Sequence, residues 1–179
     1  MIGRFALTLL LGGAATLHSQ AIPTASRVAD AQVGVGYSFA SPAYVQQTFQ
    51  GYAIYGDFDF NRHLGVEAEF HQVFSGNGDL SFERTYDIGG RYFRHYGPLM
   101  PYAKAMIGRG DFNYPFGYTE LGYYMFAGGA GADLNLGPHF RVRGEYEFQK
   151  WINFPNGGFT PQIVTFGVAY HFSGGRIIR

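Results

Sequence analysis

The stretch Gln162 to Phe172, QIVTFGVAYHF, alternates strictly. Val164, Phe166, Val168, Tyr170 and Phe172 make one apolar and aromatic face, while Thr165, Gly167, Ala169 and His171 make a small or polar one. A period of two sends successive side chains to opposite sides of an extended chain, so this is a strand between two different environments. The composition extends that reading to the whole chain of 179 residues, with Gly 27, Tyr 14, Phe 18 and only 15% charged residues. Glycine disfavours helices, and Tyr and Phe favour strands. An all-β domain of ordinary size follows. A mean hydropathy of -0.09 is too low for a bundle of membrane helices, yet it suits strands with one polar face.

The net charge is zero, so nothing points to a nucleic-acid partner. With no cysteine, disulfides, thiolate metal sites and lipid-modified cysteines are excluded. The first residues read as a signal peptide spanning 1–21: Arg4 supplies a positive start, Phe5 to Ala15 an apolar centre, and Ser19-Gln20-Ala21 small residues for cleavage. The apolar run is too short to span a bilayer comfortably as an anchoring helix.

Alternation recurs along the mature chain in about eight runs of the length that a tilted membrane strand needs. They are Ala31 to Phe39, Gly51 to Phe60, Leu64 to Phe74, Leu80 to Phe93, Pro101 to Gly110, Tyr123 to Leu134, Phe140 to Trp151 and Gln162 to Phe172. In the seventh, Phe140, Val142, Tyr146 and Phe148 oppose Arg141, Arg143, Glu145, Glu147 and Gln149. In the fifth, Ala103, Ala105 and Ile107 oppose Lys104 and Met106, which puts Arg109 on the apolar face near the rim. Connections after the even runs are short. Those after the odd runs are mostly longer and rich in Gly, Pro and aromatics, as in outer-membrane barrels with their short turns in the periplasm.

A barrel of this size has room inside only for packed side chains. The charges therefore belong inside, and the set includes Asp57, Asp59, Glu67, Glu69, Glu83, Asp87, Arg91, Lys104, Asp133, Arg141, Arg143, Glu145 and Glu147. Buried ions must be paired, so Glu67, Glu69, Asp87, Arg91, Lys104, Arg141, Arg143, Glu145 and Glu147 are expected to form a network across the interior. Acids outnumber bases, which predicts that some face lumenal water or lie near the mouths. Trp151, Tyr52, Tyr92 and Tyr124 stand near run ends, where interfacial aromatic girdles belong. A lipocalin would reverse the two faces, and no Gly-x-Trp stands on the first strand.

The last run also carries a motif. Thr165-x-Gly167-x-x-Tyr170-x-Phe172 resembles the C-terminal β-signal of bacterial outer-membrane barrels. In that family the barrel assembly machinery reads this strand, which then pairs with the first strand. The chain from Ala31 to Phe172 resembles the OmpA-like transmembrane-domain or opacity-protein superfamily. The resemblance implies an eight-stranded antiparallel up-and-down transmembrane β-barrel with a polar, charged interior. It implies a barrel over residues 22–172 in the outer membrane, both termini periplasmic, and residues 173–179 as a periplasmic extension. The implied role is non-enzymatic, stabilising the membrane or presenting loops to an extracellular ligand, with outer-membrane lipid as partner and no cofactor. A small pore and an outer-membrane lipid-modifying enzyme are the alternatives.

Other motifs weigh less. Gly128-Gly129-Ala130-Gly131-Ala132 lies inside a strand pattern with no following helix, unlike a phosphate loop. The histidines lack metal-ligand spacing among themselves. His171-Phe172-Ser173 resembles the His-x-Ser of outer-membrane lipid A deacylases, but no acid follows and the pair sits at the wrong end. The stretch from Asp111 to Gly122 carries Phe112, Tyr114, Phe116 and Tyr118, which either form a loop binding surface or cover the mouth and meet lipid headgroups.

Overall fold

The structure is a computed structural model and describes residues 30–42, 47–76, 81–113, 120–152 and 159–172. The expected signal peptide and C-terminal extension, and loop residues Tyr114, Phe116 and Tyr118, lie outside these residues. Eight strands follow in order: β1 (Asp30–Ser41), β2 (Phe49–Asp59), β3 (Leu64–Phe74), β4 (Phe82–Phe93), β5 (Leu99–Asn113), β6 (Glu120–Asn135), β7 (Phe140–Trp151) and β8 (Gln162–His171). Each pairs antiparallel with its neighbours, and β8 returns to β1 to close the barrel. The seam runs from Gln32 opposite His171 to Ser41 opposite Gln162. Closure leaves no strand edge, which a hydrocarbon environment requires, since lipid cannot satisfy free backbone groups.

Tight turns lie at the end that carries both strand termini. Phe60 and Asn61 N–H both donate to Leu64 O, at 3.2 and 3.1 Å, and Leu136 N–H donates to Phe140 O at 2.9 Å. Tyr96 N–H donates to Leu99 O at 2.8 Å, with Gly97 at φ 62° in between, a left-handed conformation suited to glycine. In an outer-membrane barrel this short-turn end is the periplasmic one.

The period-two pattern divides the barrel wall cleanly. Outward residues such as Val35 and Phe166 are 61% and 60% exposed, while inward Glu67 and Arg143 are 0% and 1% exposed. An apolar exterior around a charged interior inverts a soluble protein and matches a barrel surrounded by lipid. Tyr52, Tyr92 and Tyr124 stand on the outer wall. Trp151 does not: it is fully buried and points inward. Its odd position continues the inward series Glu145, Glu147, Gln149, so strand phase decides its face, not its place near the end.

Strand bounds differ most at β5. It runs from Leu99 to Asn113, three residues beyond Gly110, because Asp111 and Asn113 still pair although they interrupt the apolar pattern. Phe112 thereby becomes a strand residue, 3% exposed, and is not part of a loop surface. It packs with Met106, Met125, Ala127, Trp151 and Phe159. That cluster and a second of Ala40, Phe49, Val73 and Ile163 cap the interior at the long-loop end, and Phe93, Met100 and Tyr102 cap the other.

Candidate functional site

Between these apolar caps lies the charged interior, which alternation assembles. Glu67, Glu69 and His71 follow one another up the inner face of β3, Arg141, Arg143, Glu145 and Glu147 up β7, and Lys104 stands on β5. Two layers can be distinguished by the cation at their centre.

In the layer nearer the short turns, two guanidiniums share two aspartates. Arg143 Nη2 lies 2.6 Å from Asp57 Oδ2, and its Nε lies 2.8 Å from Asp133 Oδ1. Arg91 Nη1 is also 2.6 Å from Asp57 Oδ2, and its Nη2 is 3.0 Å from Asp133 Oδ2. Both reach Glu67 Oε2, at 3.2 and 3.3 Å. Gln32 donates to Asp57, and at 3.2 Å to Asp133. Aromatic rings complete the packing: the Arg143 guanidinium stands 4.0 Å from the Tyr55 ring centre, and Arg91 stands 4.3 Å from that of Tyr102. Planar forks that bind carboxylates through two atoms and stack on rings are what arginine offers and lysine does not.

The Tyr55 ring needs room, and glycines supply it. A Cβ on Gly167 would come 2.9 Å from Tyr55 Oη and 2.9 Å from Val35 O, and one on Gly34 would strike the ring itself. The glycine of the C-terminal motif is thus a packing requirement of the interior. Thr165 also points inward, its hydroxyl 2.9 Å from Ser38 Oγ across the seam. Tyr170 and Phe172 point outward, with Tyr170 stacked on His139 at 5.6 Å and edge-on to Phe172 at 5.0 Å.

In the layer above, one ammonium serves four carboxylates. Lys104 Nζ lies 3.0 Å from Glu67 Oε1, 2.6 Å from Glu145 Oε1 and 2.8 Å from Glu147 Oε2, and also contacts Glu69 Oε2. Tyr102 donates to Glu145, and Gln149 Nε2 donates to Glu147 at 2.7 Å. Trp151 Nε1 donates to Gln149 Oε1 at 2.9 Å, tying the cap to the network. Asp87 is also buried, with no hydrogen-bond partner at either oxygen, and stands opposite Glu69 across the ladder.

Arg141 stands apart, at the periplasmic mouth. Its Nε donates to Asn135 Oδ1 at 2.7 Å and its Nη1 to Gln32 Oε1 at 3.0 Å, while Nη2 lies 3.3 Å from Asp30 Oδ2. His171 joins this group through Asp30, and Arg141 Nη2 is 3.0 Å from its Nε2. It therefore faces the mouth and not the lipid-facing wall; Ser173 lies outside the described residues. On the outer wall, Arg109 is paired with Asp111 at 2.8 Å.

Asp57, Asp133, Gln32, Tyr55 and Tyr102 are central to the matched layer, although only the two aspartates were expected among the interior charges. Tyr102 had a signal available: it stands two residues before Lys104 and so shares its face. Tyr55 had the same signal, standing two residues before Asp57 on one face of β2, but nothing local marks it as the ring under Arg143.

A closed barrel with a charged interior and lipid-exposed wall is matched by sequence as well as shape. The family described as outer membrane protein beta-barrel domain matches residues 6–172. The chain belongs to that family. It is accordingly an outer-membrane protein. Solved structures agree in fold. Ail, the attachment invasion locus protein of Yersinia pestis, has a TM-score of 0.55 at 19% identity, over 80% of this chain and 97% of Ail. Neisserial surface protein A gives 0.59 at 13% identity, over 79% and 96%. The outer membrane enzyme PagL gives 0.50 at 15% identity, over 75% and 97%. No curated protein matches in sequence.

Proposed function

We propose that this barrel is non-enzymatic and works through its wall and its loops, stabilising the outer membrane and presenting extracellular connections. The observation that carries the proposal is the interior itself: ion pairs fill its middle and apolar clusters cap both ends among the described residues. A wall built to be rigid and closed suits a scaffold better than a conduit. The placement of His171 at the periplasmic mouth beside Asp30 and Arg141 speaks against lipid chemistry on the outer wall.

The C-terminal strand, with Thr165 and Gly167 inward and Tyr170 and Phe172 outward, would be what the assembly machinery reads before β8 meets β1. The four long connections, residues 42–48, 75–81, 114–119 and 152–161, contain no Lys or Arg and one Asp. Ail has been crystallised with the heparin analogue sucrose octasulfate. Connections without cations offer no charge to attract such a polyanion, so the loops of this chain are better suited to uncharged, ring-stacking ligands such as neutral saccharides.

Single-channel recording in planar bilayers tests the scaffold role. The refolded protein is expected to add no discrete conductance steps above those of the lipid alone. Stable, reproducible steps would favour the small pore instead.

A further inference from the structure

Most outward side chains of the barrel are uncharged, and the cations of its long-loop half gather on one side. Following directly opposed residues once round the barrel from Asn113 leads back to β5 at Ala103, ten residues nearer the short turns. The strands are thus staggered by a little over one residue each, which is the tilt that closure requires. With that stagger, outward Arg84 on β4, Arg109 on β5 and Lys150 on β7 come to one level. Gln162, Gln50 and Gln72 continue the same ring around β8, β2 and β3. The ring lies just below the long connections, at the height of the outer-leaflet headgroups. Its β4–β7 side is cationic and its other side is neutral. Among the side chains described, Asp111 is the one acid on that side, paired with Arg109 at 2.8 Å.

Below Arg109 the wall is hollowed. A groove of about 760 Å³ lies over β5, lined by Tyr86, Ile88, Ile107, Tyr124 and Phe126, with Arg109 at its upper end. Glu69 and Asp87 also border it, but both are turned inward and buried, so the cations face the headgroup level. Toward the membrane centre the floor continues in small residues, Ala105 opposite Gly128 and Ala103 opposite Ala130. Tyr92 and Tyr146 flank them. A Cβ on Gly128, or on Gly90 beside Ala105, would meet nothing within 4 Å. The barrel's own packing therefore does not demand glycine at either place, and glycine within a strand often marks the close approach of a ligand. From Arg109 to Ala103 the chain runs about 20 Å along a tilted strand, enough to reach the middle of a hydrocarbon layer about 30 Å thick.

We propose that this face binds one phosphorylated glycolipid of the outer leaflet, its phosphates held by Arg84, Arg109 and Lys150 and an acyl chain laid in the groove. Guanidiniums fork onto phosphate through two parallel bonds, and an ammonium adds a point charge. Arg84 and Lys150 are three strand spacings apart, about 15 Å. That is wider than one phosphate and suits a headgroup with phosphate at two ends. Tyr124, 78% exposed between Arg109 and Lys150, offers its ring to a sugar and its hydroxyl to the interface. The site gives the proposed stabilising wall its ligand and rests on that role. The two fail separately: conductance steps would refute the closed scaffold alone, and absence of bound lipid this site alone.

The full chain, refolded in an uncharged detergent, is titrated with diphosphorylated lipid A and followed by native mass spectrometry. One lipid should stay bound per barrel, and removing both phosphates from the lipid should weaken binding at least about tenfold. Arg109→Gln combined with Lys150→Gln should weaken it by a similar factor. Gly128→Phe fills the floor of the groove and should weaken it at least about fivefold. Arg94→Gln, at a short turn on the opposite end, should change it by less than about twofold. Heat-modifiable gel mobility verifies that each variant has folded, and the comparison of the two lipids stands even where one has not. Equal binding of the phosphate-free lipid or of phosphatidylglycerol, no loss in Gly128→Phe, or an equal loss in Arg94→Gln would overturn the proposal.

Discussion

Toward the short turns, Arg91 and Arg143 meet Asp57 and Asp133 two for two, with rings of Tyr55 and Tyr102 stacked on the guanidiniums. One layer higher, Lys104 is shared by Glu67, Glu69, Glu145 and Glu147, of which Glu67 also meets both arginines, and Asp87, without a hydrogen-bond partner, stands on β4. The same closed wall thus encloses a matched layer and an acid-rich one. The first has the geometry of a rigid strut, in which every fork has its carboxylate. The second depends chiefly on a single point charge. Arginine and lysine are not interchangeable between these two settings.

That contrast predicts a ranking in urea unfolding from lipid vesicles, followed through Trp151, the chain's one tryptophan and a fully buried probe. Lys104→Met should have the largest effect, about 3–5 kcal/mol, since it leaves buried Glu69 and Glu147 without a Lys or Arg partner and takes a cation from Glu67 and Glu145. Asp133→Asn comes next. It weakens charge-assisted bonds to both Arg91 and Arg143 and should cost about 2–3 kcal/mol. Glu147→Gln removes one of four acids around Lys104, keeps an acceptor for Gln149, and should change stability by less than about 1 kcal/mol. An equal cost for Asp133→Asn and Glu147→Gln would erase the distinction between the layers. Phe166→Leu, on the lipid-facing wall, should stay within about 0.5 kcal/mol.

Alternation made the architecture legible in advance. The bounds expected for β3 and β7 are those observed, and β5 was underestimated at both ends, by Leu99 and Met100 before Pro101 and by the polar-interrupted stretch from Asp111 to Asn113. Which charges face inward could also be read, because a period of two assigns a side to every residue. Which acid meets which base could not. That depends on how far each strand is staggered against those across the barrel, and no local pattern encodes the meeting of Lys104 with acids from both β3 and β7. Trp151 and Phe112 were misplaced for a related reason: their residue type suggests an interface or a loop, while their phase sends them into the cap.

The closed interior is tested most directly by water access. The chain has no cysteine, so a single Thr165→Cys substitution reports one inward position, 1% exposed beside Ser38. In intact outer membranes this cysteine should resist a charged thiol reagent and react only after boiling in SDS. Phe166→Cys, one residue along and on the outer wall, should react with a membrane-permeant reagent alone. Rapid modification of Thr165→Cys by the charged reagent in the folded barrel would reveal a water-filled path and contradict the account.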